Sequence, residues 1–129
     1  MKISNKKKSY IELAKNVALQ SNHKVHKHGA LLIKGGKIIN TSPNKVSYNS
    51  FASRFTKFWP TLHAEIGAVL GIDRSVTIGA DIWVIRVNKL GKLRNSKPCR
   101  VCMEVLKSCG IRRVYYSNGK EEIEKLTMG

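Results

Sequence analysis

Apolar positions recur at two different periods along this chain, and the changes of period divide it into elements. Ile11, Ala14, Val17 and Ala18 fall on one helical face, which predicts a helix from Tyr10 to about Gln20 with Ser9 as its cap. Gly29-Ala30-Leu31-Leu32-Ile33-Lys34 is a short continuous apolar run, the pattern of a buried strand. Gly35-Gly36 is a hairpin turn signal, and Lys37 to Thr41 forms the returning strand. A long loop is predicted from Ser42 to about Leu62. His63 to Leu70 reads as a helix ended by Gly71, and Asp81 to Val87 as an apolar strand. Asn88 to Lys97 reads as a polar loop or a short hairpin around Gly91. Pro98 suits the first turn of a helix running to about Ser108, with Gly110 just beyond it. Arg112 to Tyr116 reads as a strand and Glu121 to Leu126 as a short terminal helix. The order α-β-β-α-β-α-β-α predicts an α/β fold: one mixed central sheet, a hairpin plus further strands, flanked by helices.

Length and composition narrow this only a little. The 129 residues suffice for one core, and a hydrophobic share of 42% suits a globular protein. There is no repeat, low-complexity tract or interdomain linker. Residues 1–8 are basic and read as an N-terminal arm, with 9–129 as a single domain. The N-terminus lacks the apolar core of a signal peptide, and no apolar run is long enough for a membrane span, so a cytoplasmic protein without membrane attachment is expected. The 3 cysteines agree, since an exported chain of this size would favour an even disulfide set.

Two of those cysteines carry the chemistry. Pro98-Cys99-Arg100-Val101-Cys102 follows His63-Ala64-Glu65 by some thirty residues. Alone, a C-x-x-C pair reads equally as a redox pair or half of a structural zinc knuckle. Together the two segments offer a Cys₂His donor set, which leaves the fourth position of a zinc ion open for water. Cys99 and Cys102 face the same way in a helical first turn, whose unpaired N–H groups favour the metal-binding thiolate. Two thiolates and a neutral imidazole leave a Zn²⁺ site formally neutral. A closed Cys₃His site would need Cys109, but seven residues of helix place it about 10 Å of rise beyond Cys102. Cys109 therefore reads as a buried filler. His23, His26 and His28 lie in a Lys-rich segment and read as solvated, or as part of a basic patch.

At these residues the chain resembles the zinc-dependent cytidine deaminase superfamily, whose signature is H-x-E…P-C-x-x-C. The resemblance covers roughly Gly29 to Tyr116 and implies a three-layer cytidine deaminase-like fold. It implies a Zn²⁺ cofactor held by His63, Cys99 and Cys102, with Glu65 as catalytic acid and base. In that scheme zinc acidifies a water, and Glu65 passes the water's proton to N3 of cytosine. Hydroxide then attacks C4, and Glu65 helps protonate the departing ammonia. The resemblance also implies substrate contacts at Asn44, with Asn40 as a second candidate, and at the backbone N–H of Ala64. Ser96-Lys97-Pro98-Cys99 loosely resembles the Ser-x-Pro-Cys of polynucleotide deaminases, with Lys97 in place of their aromatic.

Charge bears on the substrate. Lys and Arg number 24 against 8 acids, giving +16, and Glu65 is the only acid from Leu13 to Ile72. A field of that size attracts a polyanion. Tyr48, Phe51, Phe55, Phe58 and Trp59 are interleaved with Lys45, Arg54 and Lys57 and run into His63. Such a stretch suits bases stacked on aromatics with phosphates on cations, and equally a short helix packed by Phe51, Phe55 and Phe58. Phe58 and Trp59 are thus candidate substrate contacts. Lys45, Arg54, Lys57, Lys97 and Arg100 are candidate nucleic-acid contacts. Trp83 reads as core, and Arg86 as a cation that either meets phosphate or is merely exposed. The expected activity is deamination of cytosine to uracil in DNA, single-stranded or duplex, in preference to RNA. The alternatives are an enzyme of free deoxycytidylate or cytidine, a tRNA adenosine deaminase, and a non-catalytic zinc-stabilised nucleic-acid-binding module.

Overall fold

A continuous apolar strand needs cover on both faces, and the chain supplies it with helices. The computed structural model describes residues 5–23, 25–46 and 61–128. Helix α1 (Asn5–Leu19) leads into strands β1 (Lys27–Lys34) and β2 (Lys37–Pro43), followed by β3 (Lys45–Val46) and β4 (Thr61–Leu62). Then come α2 (Ala64–Val69), the single turn α3 (Arg74–Thr77), β5 (Asp81–Val87) and β6 (Leu93–Arg94). Helix α4 (Arg100–Ser108), β7 (Arg113–Ser117) and β8 (Ile123–Thr127) complete the order. The main sheet runs β2-β1-β5-β7-β8, with β6 paired to β5, and β3 and β4 form a separate ladder. Only β5 and β7 are parallel; α4 makes the crossover between them. That crossover sets the N-terminus of α4 at the carboxyl end of β5, where open α/β sheets place their ligand sites.

Side-chain alternation gives the sheet two buried faces. Leu31, Ile33, Trp83, Ile85 and Tyr115 meet α1 through Ala14, Val17 and Ala18. Ala30, Leu32, Ile82, Val84 and Val114 meet α2 and α4 through Ala64, Ala68 and Leu106. The result is three layers, with Trp83 in the core, 3% exposed and stacked on Tyr115. The β1–β2 hairpin turns on Gly35 and Gly36, both at positive φ (59° and 79°). Gly29 is needed for a different reason. A Cβ there would stand 2.5 Å from Ala18 N and closer still to Ala14 O, so α1 lies directly on the strand backbone. Gly29→Val is expected to destabilise the fold by about 3 kcal/mol, read as a shift in the urea or thermal unfolding midpoint.

Several boundaries differ from the sequence expectation. Helix α1 includes residues 5–8 of the basic arm, so Ser9 lies inside it and does not cap it. Lys7 sits 5.6 Å from the centroid of the Tyr115 ring, and Tyr10 Oη donates to Gly36 O, so this turn is docked on the sheet. Pro98 precedes the cap of α4 instead of occupying its first turn. The C-terminal segment is a strand, not a helix. Asn118 Oδ1 accepts the N–H groups of Lys120 and Glu122 and reverses the chain, and Ile123–Thr127 pairs antiparallel with β7. Ile123 and Leu126, three apart, fit one helical face. On a sheet covered on both sides they go to opposite faces, and each packs, half-buried, against a different cluster. The hairpin around Gly91 does form, as β5–β6.

Candidate active site

Two helices start beside one another at the zinc motif. His63 is the N-cap of α2 and Cys99 the N-cap of α4, both in extended conformation. Cys102 N donates to Cys99 Sγ at 3.5 Å, so the sulfur does the work of a capping oxygen. Cys102 Sγ lies 3.1 Å and Cys99 Sγ 3.9 Å from His63 Nδ1, and the two sulfurs are 3.3 Å apart. Tetrahedral zinc with its usual Zn–S and Zn–N bonds separates such donors by roughly 3.5–3.8 Å, so the triangle fits a single ion. His63, Cys99 and Cys102 are the only such donor group among the described residues. Cys109 caps the far end of α4, half-buried, and has no part in it.

Electrostatics argue for a cation at that triangle. Cys102 is fully buried, and burial, with the Glu65 carboxylate and the Cys99 sulfur beside it, pushes its thiol well above the usual range. Two sulfurs in van der Waals contact and an adjacent acid are compatible as thiolates only around a positive ion. These three residues form a candidate site for the zinc cofactor. Glu65, in the first turn of α2, is 4% exposed. Burial raises its carboxyl pKa, against the opposing pull of its own backbone N–H, His63 and Cys102. A carboxyl so placed takes up a proton more readily than a solvated one.

A cavity of about 310 Å³ opens over these groups, and Ala64, Asn44, Ser96 and Lys97 line it together with His63, Glu65 and Cys99. Two of these side chains are already engaged. Asn44 Oδ1 accepts His28 N (2.9 Å) and its Nδ2 donates to His26 O (2.7 Å), tying the start of β1 to the end of β2. Ser96 Oγ donates to Val84 O (2.7 Å) and accepts Ser117 N (2.8 Å), with Ser117 Oγ also at 2.8 Å. Its hydroxyl is therefore spent on fixing the loop before Pro98 to β5 and β7. Asn40 donates instead to Ala68 O and supports α2. Lys45 and Arg100 are exposed and lie off the cavity wall; Arg100 pairs with Glu104 at 3.7 Å. Arg54, Lys57, Phe58 and Trp59, with the rest of the aromatic stretch, lie outside the described residues.

His26 is exposed, as expected, and His23 is half-buried; His28 departs from the sequence reading. His23, His26 and His28 all line the cavity. The Lys-rich segment around His28 suggested solvent, whereas Asn44, just after β2, and Arg86 on β5, which enclose it, are remote in sequence. Burial, reinforced by the Arg86 guanidinium, pushes the His28 imidazole down to about 4. Unfolded, this group protonates near the ordinary value of 6.5; folded, only near 4. Between those values the unfolded chain binds the extra proton, so stability falls as pH falls, by roughly 3 kcal/mol across the window. His28→Gln is expected to remove that part of the slope. The check is urea unfolding of both proteins at pH 7 and pH 4.5.

The fold has solved counterparts. It matches a deoxycytidylate deaminase from the cyanophage S-TIM5 in complex with dCMP and dUMP, with a TM-score of 0.67 and 22% identity over 92% of this chain and 85% of that one. It matches a cytidine deaminase from Burkholderia pseudomallei, with a TM-score of 0.68 and 18% identity over 98% and 94%. A cytidine deaminase from Mycobacterium tuberculosis follows with a TM-score of 0.54 and 20% identity over 83% and 80%. At these identities the likeness shows the three-layer fold. No curated protein sequence matches the chain. The family evidence is the match of residues 4–118 to the cytidine and deoxycytidylate deaminase zinc-binding region. On that match, which spans both half-sites and the sheet between them, the chain belongs to the zinc-dependent cytidine and deoxycytidylate deaminases, hydrolases that deaminate their substrates.

Proposed function

We propose that this deaminase converts cytosine to uracil in DNA, with Glu65 as its proton carrier. One observation carries the polymer: a net charge of +16 in which Glu65 is the sole acid from Leu13 to Ile72. A single nucleotide needs one or two cations, whereas a field of this size suits a polyanion. Bound zinc supplies Lewis acidity that makes a water nucleophilic near neutral pH. The Glu65 carboxylate takes that water's proton and delivers it to N3, so that C4 becomes electrophilic. After the C4–O bond forms, Glu65 carries the second proton to the exocyclic nitrogen. The C–N bond breaks, and ammonia and uracil leave. Ala64 and Asn44 line the same cavity; the Ala64 N–H serves the base carbonyl, and Asn44, its amide held by His26 and His28, has one remaining N–H for the sugar. Lys97 on the cavity wall is a cation at the site for a strand, and Lys45, Arg54, Lys57 and Arg100 are further candidates from the sequence. A single strand presents its base directly, whereas a duplex requires the base to be flipped out. Three free cysteines suit a reducing, cytoplasmic setting, and no helix among the described residues is long and apolar enough to cross a membrane.

A second reading, deamination of free deoxycytidylate, has its own support. The cavity is of nucleotide size, and the cyanophage counterpart was solved with dCMP and dUMP. Incubation with cytosine-containing single-stranded DNA, duplex DNA, RNA, deoxycytidylate and cytidine decides between them. The expected result is turnover of single-stranded DNA at a rate that falls steeply with added salt. Activity confined to the monomers overturns the polymer. Zinc binding with no turnover of any substrate leaves a nucleic-acid-binding module.

A further inference from the structure

Arg86 is a cation without an anion. It stands near the carboxyl end of β5, and alternation puts its side chain on the face of Ile82 and Val84, the face of α2 and α4. His28 lies directly opposite it on β1 and Arg94 directly opposite it on β6. Like charges across a ladder destabilise a sheet, so this arrangement is costly unless something offsets it. No acid does. All 8 acids of the chain are among the described residues, and the ion pairs there are Lys15–Glu12, Arg100–Glu104 and Arg112–Asp81. Arg86 Nε is buried with no hydrogen-bond partner. A guanidinium cannot shed its proton to relieve that cost.

Its neighbours face the deaminase cavity. Arg86 Nη2 lies 2.6 Å from His26 Nδ1. A guanidinium only donates, so Nδ1 accepts and the His26 proton sits on Nε2. His23 Nδ1 accepts the N–H groups of Val25 (3.1 Å) and His26 (2.9 Å), which fixes the same tautomer. His23, His26 and Lys97 line the cavity, so each brings an N–H donor to it. Cavity-lining donors backed by an uncompensated arginine suit a phosphate, which accepts through several oxygens.

We propose that His26 and Lys97, with Arg86 behind His26, form the phosphate subsite of this cavity, so that the enzyme selects a cytosine nucleotide over the nucleoside. This rests on the deamination reading for its base and adds what recognises the rest of the substrate. The phosphate is either the monoester of a free nucleotide or a diester of a strand. The test uses zinc-loaded wild type and Arg86→Gln with three substrates: dCMP, deoxycytidine, and a short single-stranded oligonucleotide without terminal phosphate. The expected result is a fall of about 10- to 100-fold in kcat/KM for a phosphate-bearing substrate relative to deoxycytidine. A fall for dCMP alone assigns the monoester, a fall for the oligonucleotide alone the diester, and a fall for both assigns either source. Equal losses on all three, or none, overturn the subsite and leave the deaminase standing. Arg86→Lys keeps the charge without the planar donor that holds His26 and is expected to lose part of the selectivity, which covers a glutamine variant that does not fold. Calorimetry with inorganic phosphate reads the subsite without turnover. Binding by the wild type and its loss in the variant support it even if no cytosine is deaminated. A wild type that does not bind phosphate overturns it.

Discussion

Glu65→Gln is expected to lower turnover by roughly a thousandfold while leaving zinc content unchanged, as measured by steady-state kinetics and metal analysis on the same preparation. The reasoning is geometric. Glu65 lies outside the donor triangle of His63, Cys99 and Cys102, so the metal has no need of it. It is buried on the first turn of α2, beside Cys102, where it faces the cavity. Glutamine keeps the volume and the hydrogen-bonding reach of the side chain but carries no proton between two acceptors. Burial disfavours the carboxylate here, so the neutral amide costs no stability, and the melting midpoint is expected to stay level or rise. A variant that loses zinc along with turnover would make Glu65 a ligand. Undiminished turnover would place the proton work on another group.

The zinc site was legible because its parts are local. A cysteine pair at helical spacing and a histidine two residues from a carboxylate each fit within one turn, and the turn alone decides which way they face. What sequence alone does not give is which remote residues close around a site. His28 is the clearest case: in a Lys-rich segment, it reads as solvated, yet Asn44, just after β2, and Arg86 from β5 enclose it. Ser96 shows the reverse. Its place beside Pro98 suggests a hand on the substrate, whereas Ser117, on a strand twenty residues later, uses its hydroxyl instead. The core strands followed from apolar runs for the same local reason, and β5 lies where its run predicts. The C-terminal strand did not, because Ile123 and Leu126 fit one helical face and only the free edge of β7 makes them a strand. Helix α1 ran past its expected cap because Tyr10 and Lys7 find partners on the sheet, and a docked turn outlasts a local stop signal.

Three cysteine variants are expected to separate cleanly. Cys99→Ser and Cys102→Ser lose the zinc, and Cys109→Ser keeps it at wild-type stoichiometry. Loss of the ion removes the stabilisation that comes from binding the folded state alone, about 4 kcal/mol when free zinc stands a thousandfold above its Kd. A chelator should therefore bring the wild-type melting midpoint down to that of Cys99→Ser and leave Cys99→Ser itself unmoved. The two ligands then part company. Cys99 is exposed at the helix cap, where a serine hydroxyl is an equally good partner for Cys102 N. Cys102 is 0% exposed on α4, beside Glu65, and a hydroxyl there exchanges a large soft filler for a smaller polar group that must be desolvated. Cys102→Ser should thus melt below Cys99→Ser even with chelator present. Equal midpoints under chelator would mean that the buried position matters only through the metal. Retention of zinc by Cys99→Ser would mean that the ion rests on some other donor than the exposed sulfur.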